Sequence, residues 1–374
     1  MTDTQSSSIR ALHAALERHK NFHLSMIVGV DGFIDEIIHV VDQRQDFDHF
    51  TRVSQIEDLG GRIIKASGLS ANFELVVQQT KLGGNGPIFS NALIEYGVRL
   101  TYIGAIGQAG VHPVFQPMAE KAAMVYPLCE PGHTDALEFN DGKLMLGKIT
   151  RLNAITWRRF KEVLGAPPKM ASLLGDCRLM GMENWTMIPH MSEIWRGFIE
   201  EVFPFMPDAE AKPLAFFDLA DPEKRTKEDI LEALQLIGLF QKKFEAILGL
   251  NEKELYEIAA VLDIESSDLR SAAQAVYDKL GIYCLAVHPV KEAVCCLRGQ
   301  YFQADGPYCA RPVLTTGAGD NFNAGFCLAQ ALGFSPMNSL LLGVSTSGYY
   351  VRHGKSPDIA HMLIFLQNWL AGGV

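Results

Sequence analysis

No stretch of the chain approaches the roughly 18 consecutive apolar residues that a membrane-spanning helix needs, so a helical bilayer span is not expected. Positive charge is also scarce: 33 Lys and Arg against 43 Asp and Glu leave a net charge of -10. A nucleic acid or an anionic membrane would require a basic surface to neutralise phosphates, and this balance argues against both partners. The seven cysteines are an odd set with no Cys-x-x-Cys spacing. They indicate neither a disulfide framework nor a zinc knuckle, and they fit a reducing cytoplasm. A Gly-x-x-x-x-Gly-Lys-Ser/Thr loop, internal repeats, low-complexity tracts and a Gly/Ser linker are missing too. Residues 1–20 lack the apolar centre of a secretory signal. Their serines, with Arg10 and Arg18, suit a transit peptide, but Asp3 and Glu17 count against one. Ile9, Leu12 and Leu16 instead share one face of a short helix, read as an extension preceding a core over 21–374.

What the sequence does contain is an alternation. Short apolar runs at 24–30, 100–106, 179–182, 214–217, 246–250 and 283–287 read as buried strands. Helical periods at 88–96, 191–202, 227–240 and 269–280 fall between them. This order predicts an α/β fold, a three-layer α/β/α sandwich around a largely parallel sheet, with ligands at the carboxyl ends of the strands. Two regions break the pattern. Residues 36–82 mix β-formers (Ile37, Ile38, Val40, Val41, Ile63, Ile64, 73–77) with polar turns. Residues 134–155 hold a hairpin, 136–139 and 144–149, around Asn140-Asp141-Gly142. Both are read as a small β lid over a cleft. Its strand edges could pair with a second copy, which allows a homodimer through the lid.

The most informative residues are Thr315-Thr316-Gly317-Ala318-Gly319-Asp320. Small side chains let backbone N–H groups converge on an anion at a helix start, where the dipole adds roughly half a positive charge. A carboxylate beside a bound phosphate would repel it unless it served as base for an incoming hydroxyl, so the stretch suggests phosphoryl transfer to an alcohol. The same residues also suit a tight turn with Asp320 as an ordinary helix cap. Near the N-terminus, Gly29-Val30-Asp31-Gly32-Phe33-Ile34-Asp35 ends the first strand with two carboxylates suited to sugar hydroxyls, or simply solvated in a loop. Gly83-Gly84-Asn85-Gly86-Pro87 precedes a helix carrying Asn91, and permits close ligand approach or only a tight helix entry.

In order and separation, these elements resemble the ribokinase-like, PfkB-type carbohydrate kinase family. The likeness runs from Asp31 and Asp35, through 83–107, to Thr-Thr-Gly-Ala-Gly-Asp-Asn-Phe-Asn-Ala-Gly-Phe at 315–326. It implies an ATP- and Mg2+-dependent sugar kinase in which Gly317, Ala318 and Gly319 form an anion hole and Asp320 is the base. It assigns Asp31, Asp35, Gly83, Gly84, Asn85, Asn91 and Glu183 to the sugar. It assigns Thr316, His288, Lys291, Asn323, His353 and Gly354 to the nucleotide. Asn251 and Glu254 match the family's Asn-x-x-Glu element, which helps hold magnesium through water; in isolation they read as a helix start. Asp218 with Arg225 is a fainter echo, and His353-Gly354 equally suits a helix ending.

The chain departs from the family pattern at two places. Ile88 stands where the family has an asparagine, with Asn91 the nearest substitute. His288-Pro289-Val290-Lys291-Glu292-Ala293 replaces a glycine-bearing strand end near the nucleotide phosphates. Three readings therefore stay open: a kinase for a sugar or sugar derivative, a nucleoside kinase of the same fold, and a catalytically idle sugar or nucleotide sensor.

Overall fold

Alternating burial along the strands builds two hydrophobic cores, one on each side of a sheet. In the strand Leu214–Asp218, Leu214 and Phe216 enter one core while Ala215 and Phe217 enter the other. Phe216 stacks on Phe89 with ring centroids 5.4 Å apart, and Phe217 meets Trp195 and Phe240 edge-on at 5.0 Å each. Such pairs add about 0.5–1.5 kcal/mol beyond the apolar area they bury. Burial on both faces is what a parallel sheet requires. The computed structural model, which describes residues 3–374, accordingly shows a nine-stranded sheet between two helical layers.

In spatial order the strands are Gln300–Asp305, Glu292–Leu297, Cys284–Val287, Glu245–Leu250, Leu214–Asp218, Leu179–Met182, Ser25–Val30, Arg99–Gly104 and Met124–Pro127. All pairings from Cys284–Val287 to Met124–Pro127 are parallel. The last two strands in the chain form an antiparallel hairpin at one edge. The six strands expected from apolar runs are present within a residue or two. The Met124–Pro127 edge strand and the 292–305 hairpin were not foreseen.

One helical layer includes Trp157–Leu164, Lys227–Phe240, Glu252–Val261 and Leu269–Leu280; the other includes Asp3–His19, Asn85–Glu95, Ala318–Ala331 and Pro336–His353. Ile9, Leu12 and Leu16 of the first helix are buried in the second layer. Helices Ala318–Ala331 and Pro336–His353 approach through glycine. A Cβ on Gly325 would lie 2.4 Å from Thr346 Oγ1, and one on Gly343 would lie 2.7 Å from Phe322. This close seating fixes the helix whose first turn carries Asp320.

The lid is a second, five-stranded sheet centred on Phe33–Arg44. That strand pairs antiparallel with Leu75–Gly83 and Phe50–Arg52 and parallel with Gly132–Glu138, which turns back into Lys143–Lys148. Ile38, Val40, Val53, Leu59, Leu137 and Phe139 give the lid a core of its own. Residues 56–65 correct the sequence reading: Ile63 and Ile64 belong not to a strand but to the helix Ile56–Lys65, where both are exposed. The hairpin-turn residue Asp141 accepts from the Ile56 N–H at 3.0 Å and so starts that helix from outside it. The lid joins the core where the cleft lies, because the first core strand passes into Phe33–Arg44 through Asp31-Gly32, and Leu75–Gly83 ends at the helix Asn85–Glu95.

Candidate active site

Parallel strands bring their carboxyl ends to a common rim. Asp31, Glu183, Asn251 and His288 each directly follow a core strand, and Asp218 ends one. Gly317 caps the helix Ala318–Ala331 in the left-handed region at φ 93°, and a Cβ there would meet the Tyr350 hydroxyl at 2.9 Å and Ile88 at 3.1 Å. Glycine is therefore required both for conformation and for space. The first N–H groups of a helix have no intrahelical acceptor. That of Ala318 turns back to Thr315 O at 3.1 Å, while that of Gly319 keeps its place at the open end.

Asp320 sits in this first turn, 7% exposed. The side chain of Asn85 donates from Nδ2 to its Oδ1 at 3.0 Å, tying the two glycine-rich segments together. Burial, followed by the negative charge of Asp31, pushes its carboxyl well above the ordinary carboxylate range. Asp31 is fully buried and holds the opposite helix: the N–H groups of Asn85 and Gly86 donate to it at 3.0 and 2.9 Å, and Asn184 Nδ2 donates at 2.8 Å. Its pKa is raised to about 6, chiefly by desolvation against these three donors. Asp35, on the lid, folds its carboxylate over Gly83, where a Cβ would lie 2.3 Å away. Burial raises its pKa too, opposed first by a hydrogen bond from Thr134 and then by the charge of Lys81, its partner in strand register.

Beneath Asp320 lie two more acids. Glu183 is fully buried with neither carboxylate oxygen hydrogen-bonded, and Asp218 accepts from Asn323 Nδ2 at 3.2 Å through one oxygen only. An oxygen from each of Glu183, Asp218 and Asp320 falls within 4.8 Å of the others.

On the other side of Asp320 opens a cavity of about 490 Å3. Its walls include Phe322, Val344, Val351, Pro307 and Tyr308, with Asn251, His288 and Gly319 also lining it. The His288 ring rests on Phe322 with centroids 5.0 Å apart, and burial lowers its pKa to about 4. It is a neutral imidazole at working pH. Asn251 and Glu254 form a reciprocal capping box, Asn251 Oδ1 accepting from the Glu254 N–H at 2.9 Å and Glu254 Oε2 from the Asn251 N–H at 2.8 Å. Glu254 Oε1 also accepts from the Asp221 N–H at 2.9 Å.

A buried carboxylate, an open helix start and an adjoining cavity thus stand together at the rim of the sheet. Residues 7–369 match the sequence family described as prokaryotic ketohexokinase. The chain belongs to that family. It is 29% identical over 350 residues to the ketohexokinase of Haloferax volcanii, covering 92% of this chain and 91% of that one. Among solved structures it resembles the ribokinase of Thermotoga maritima, with TM-score 0.62, 17% identity, and 93% and 100% of the two chains covered. The fructokinase of Xylella fastidiosa with bound ATP superposes with TM-score 0.63 at 12% identity, over 92% and 98%. These likenesses show the ribokinase-like fold expected from the sequence. Family membership makes the chain a carbohydrate kinase.

The structure brings together most, but not all, of the residues singled out in the sequence. Gly317, Ala318, Gly319, Asp320, Asp31, Gly83, Gly84 and Asn85 meet at the rim, with Asp35 above. Asn91 does not join them: among the described residues no hydrogen bond of the cluster involves it, and it is Ile88 that reaches Gly317. Asn323 is fully buried and turned towards Asp218, away from the cavity. Gly354 closes the helix Pro336–His353 in the left-handed region, and His353 stacks on Tyr349 and bonds its carbonyl. This pair is a helix ending; Gly348 and Val351 line the cavity instead. Thr316 presents its carbonyl to the Tyr350 hydroxyl at 2.9 Å, and exposed Lys291 lies 5.3 Å over the ring of Tyr308 at the cavity edge. Sequence reasoning missed Asn184 and Tyr350. Asn184 adopts φ 62°, a conformation that Asn tolerates and that lets it reach Asp31. The adjacent Glu183 was the available signal.

Proposed function

We propose that this family member transfers the γ-phosphoryl group of ATP to a primary hydroxyl of a ketohexose, with Asp320 as the base. The observation that carries the reading is a buried carboxylate, held by Asn85, in the first turn of a helix whose N-terminus opens on a large cavity. Aligned N–H groups there offset charge on the phosphoryl oxygens in flight, where preorganised donors act most strongly. Asp320 receives the hydroxyl proton as the new O–P bond forms. Its raised proton affinity makes it a stronger base near neutral pH than an ordinary aspartate.

The cavity suits a nucleotide by shape: apolar walls for a base, and Gly319 with neutral His288 where the phosphates enter. Magnesium fits through water, because Asn251 borders the cavity and Glu254 keeps free lone pairs although both its oxygens accept backbone N–H groups. When bound, Mg2+ would neutralise charge on the phosphate oxygens. Asp35 and Thr134 reach down from the lid, so its closure would exclude water from the sugar. Ketohexose is favoured by family membership and by the relative from Haloferax volcanii.

Sugar-dependent ADP release tests this against ketohexoses, aldohexoses, pentoses, polyols and nucleosides. Ketohexoses are expected to give the highest kcat/KM and nucleosides none. Binding of ATP without turnover of any alcohol would defeat the proposal.

A further inference from the structure

Glu183 occupies the strand end from which a carboxylate was expected to meet the sugar, yet it is fully buried and both its oxygens lack any hydrogen-bond partner. Asp218 Oδ1 is equally unpartnered, and oxygens of Glu183, Asp218 and Asp320 all lie within 4.8 Å of one another. The ionisable groups facing these acids from neighbouring elements are Asp31 and Glu254, themselves acids, and the neutral Tyr102, Tyr350 and Cys327. Among the described residues no Lys, Arg or His pairs with any of the three. Three adjacent carboxylates so largely removed from water cannot all stay ionised without a cation or a proton among them. A magnesium ion would have to shed the waters it holds tightly, and the buried oxygens offer it far fewer than a full octahedral set. A proton meets neither obstacle.

We propose that Glu183 and Asp218 form with Asp320 a buried carboxylate set that holds a shared proton and strengthens the catalytic base. The proposal rests on the reading of Asp320 as the base. Glu183 thereby acts through Asp320, as a positioning residue rather than a sugar ligand. The negative charge that remains on the set raises the affinity of Asp320 for the hydroxyl proton. Direction of charge agrees: burial, then Asp218, then Asp320 raise the proton affinity of Glu183.

The test is infrared spectroscopy of the nucleotide-free full chain at neutral pH, reading the C=O stretch of a protonated carboxyl. A band in the wild type that is lost in Glu183→Gln or in Asp218→Asn supports the proposal, and a wild-type spectrum without one overturns it, whatever the variants do. In kinetics, removing one interacting charge is expected to move the acid limb of kcat/KM down by about one pH unit and to lower kcat several-fold, with sugar KM within about twofold. An unmoved limb with a raised sugar KM would make Glu183 a sugar ligand. Stoichiometric Mn2+ binding without nucleotide, lost in Glu183→Gln, would make the set a metal site; either result overturns the shared proton. Failure of the wild type to release ADP with any sugar would instead defeat the proposed function, leaving the infrared result to stand.

Discussion

On one side of Asp320 lie Asp31, Asp35, Glu183 and Asp218, none more than 7% exposed. On the other lies a roomy cavity whose walls are mostly apolar and whose imidazole ring beside Gly319, that of His288, is uncharged near neutral pH. The carboxylate side is crowded and desolvated, so its groups hold protons tightly. The cavity side is open and shaped, so recognition there can proceed through surface contact and backbone N–H groups. The contrast suits a reaction in which a proton is removed on one side and a polyanion is held on the other, since the acids would repel that polyanion were they on the cavity wall.

The sharpest way to break this contrast is to remove the proposed base. Asp320→Asn keeps the size and a hydrogen-bond acceptor for Asn85, and is expected to lower kcat by about a thousandfold or more while leaving ATP binding nearly unchanged. A variant retaining a tenth of wild-type kcat would show that Asp320 is not the base. Next in size is the pH dependence of stability on the carboxylate side. Asp31 has a pKa near 6 in the fold against 3.8 as its ordinary value, so the native state binds its proton more tightly than the unfolded chain. The stability contribution is therefore present at low pH and lost as pH rises from about 4 through about 6, worth about 3 kcal/mol for this one group. Urea midpoints of the ligand-free protein should fall as pH is raised across that window, with the raised acids Glu183, Asp218 and Asp320 extending the fall towards neutrality. A midpoint that rises with pH would mean that the acids are ion-paired after all.

A comparable loss is expected where the two sides meet. A Cβ on Gly319 would lie 3.0 Å from His288 Cε1. Gly319→Val should crowd the helix start and cost about a hundredfold in kcat/KM, by spoiling the approach of phosphate to N–H donors. Unchanged kcat/KM would place the phosphates elsewhere.

The sequence made the carboxylate side partly legible because its elements are contiguous: Asp31 and Asp35 close together where the core strand passes into the lid, Gly83-Gly84-Asn85 at one helix start, Asp320 in one turn. The alternation of apolar runs likewise gave the parallel sheet. Pairings over long separations were not legible, such as Asn184 reaching Asp31 or Asn323 turning to Asp218, since periodicity fixes a face and not a partner. The helix Ile56–Lys65 was missed because Ile63-Ile64 looks like a strand fragment when its helical surroundings are short and polar. The 292–305 hairpin turns on Arg298 and Gly299 at φ 50° and 76°, and arginine in the left-handed region is not a turn signal. Two readings that were open resolved towards structure: Gly354 ends a helix, and Asn251 with Glu254 starts one. The second still borders the cavity, so a cap and a water-mediated ion contact are compatible in one motif.

The smallest effect expected is on the cavity side, at His288. Its ring is sandwiched between Phe322 and the approach to Gly319, and desolvation holds its pKa near 4. Between about pH 6 and about pH 8 it should therefore carry no charge, and the KM for ATP should show no titration attributable to it. His288→Ala would remove a ring face and one hydrogen-bonding nitrogen, raising the KM for ATP only several-fold, about what a single neutral hydrogen bond contributes. Its pH dependence should match that of the wild type. An ATP KM that climbs through a pKa near the ordinary histidine value in the wild type, and loses that step in His288→Ala, would show a cationic imidazole at the phosphates. The division between a titrating carboxylate side and a neutral cavity side would then fail at the residue that borders both.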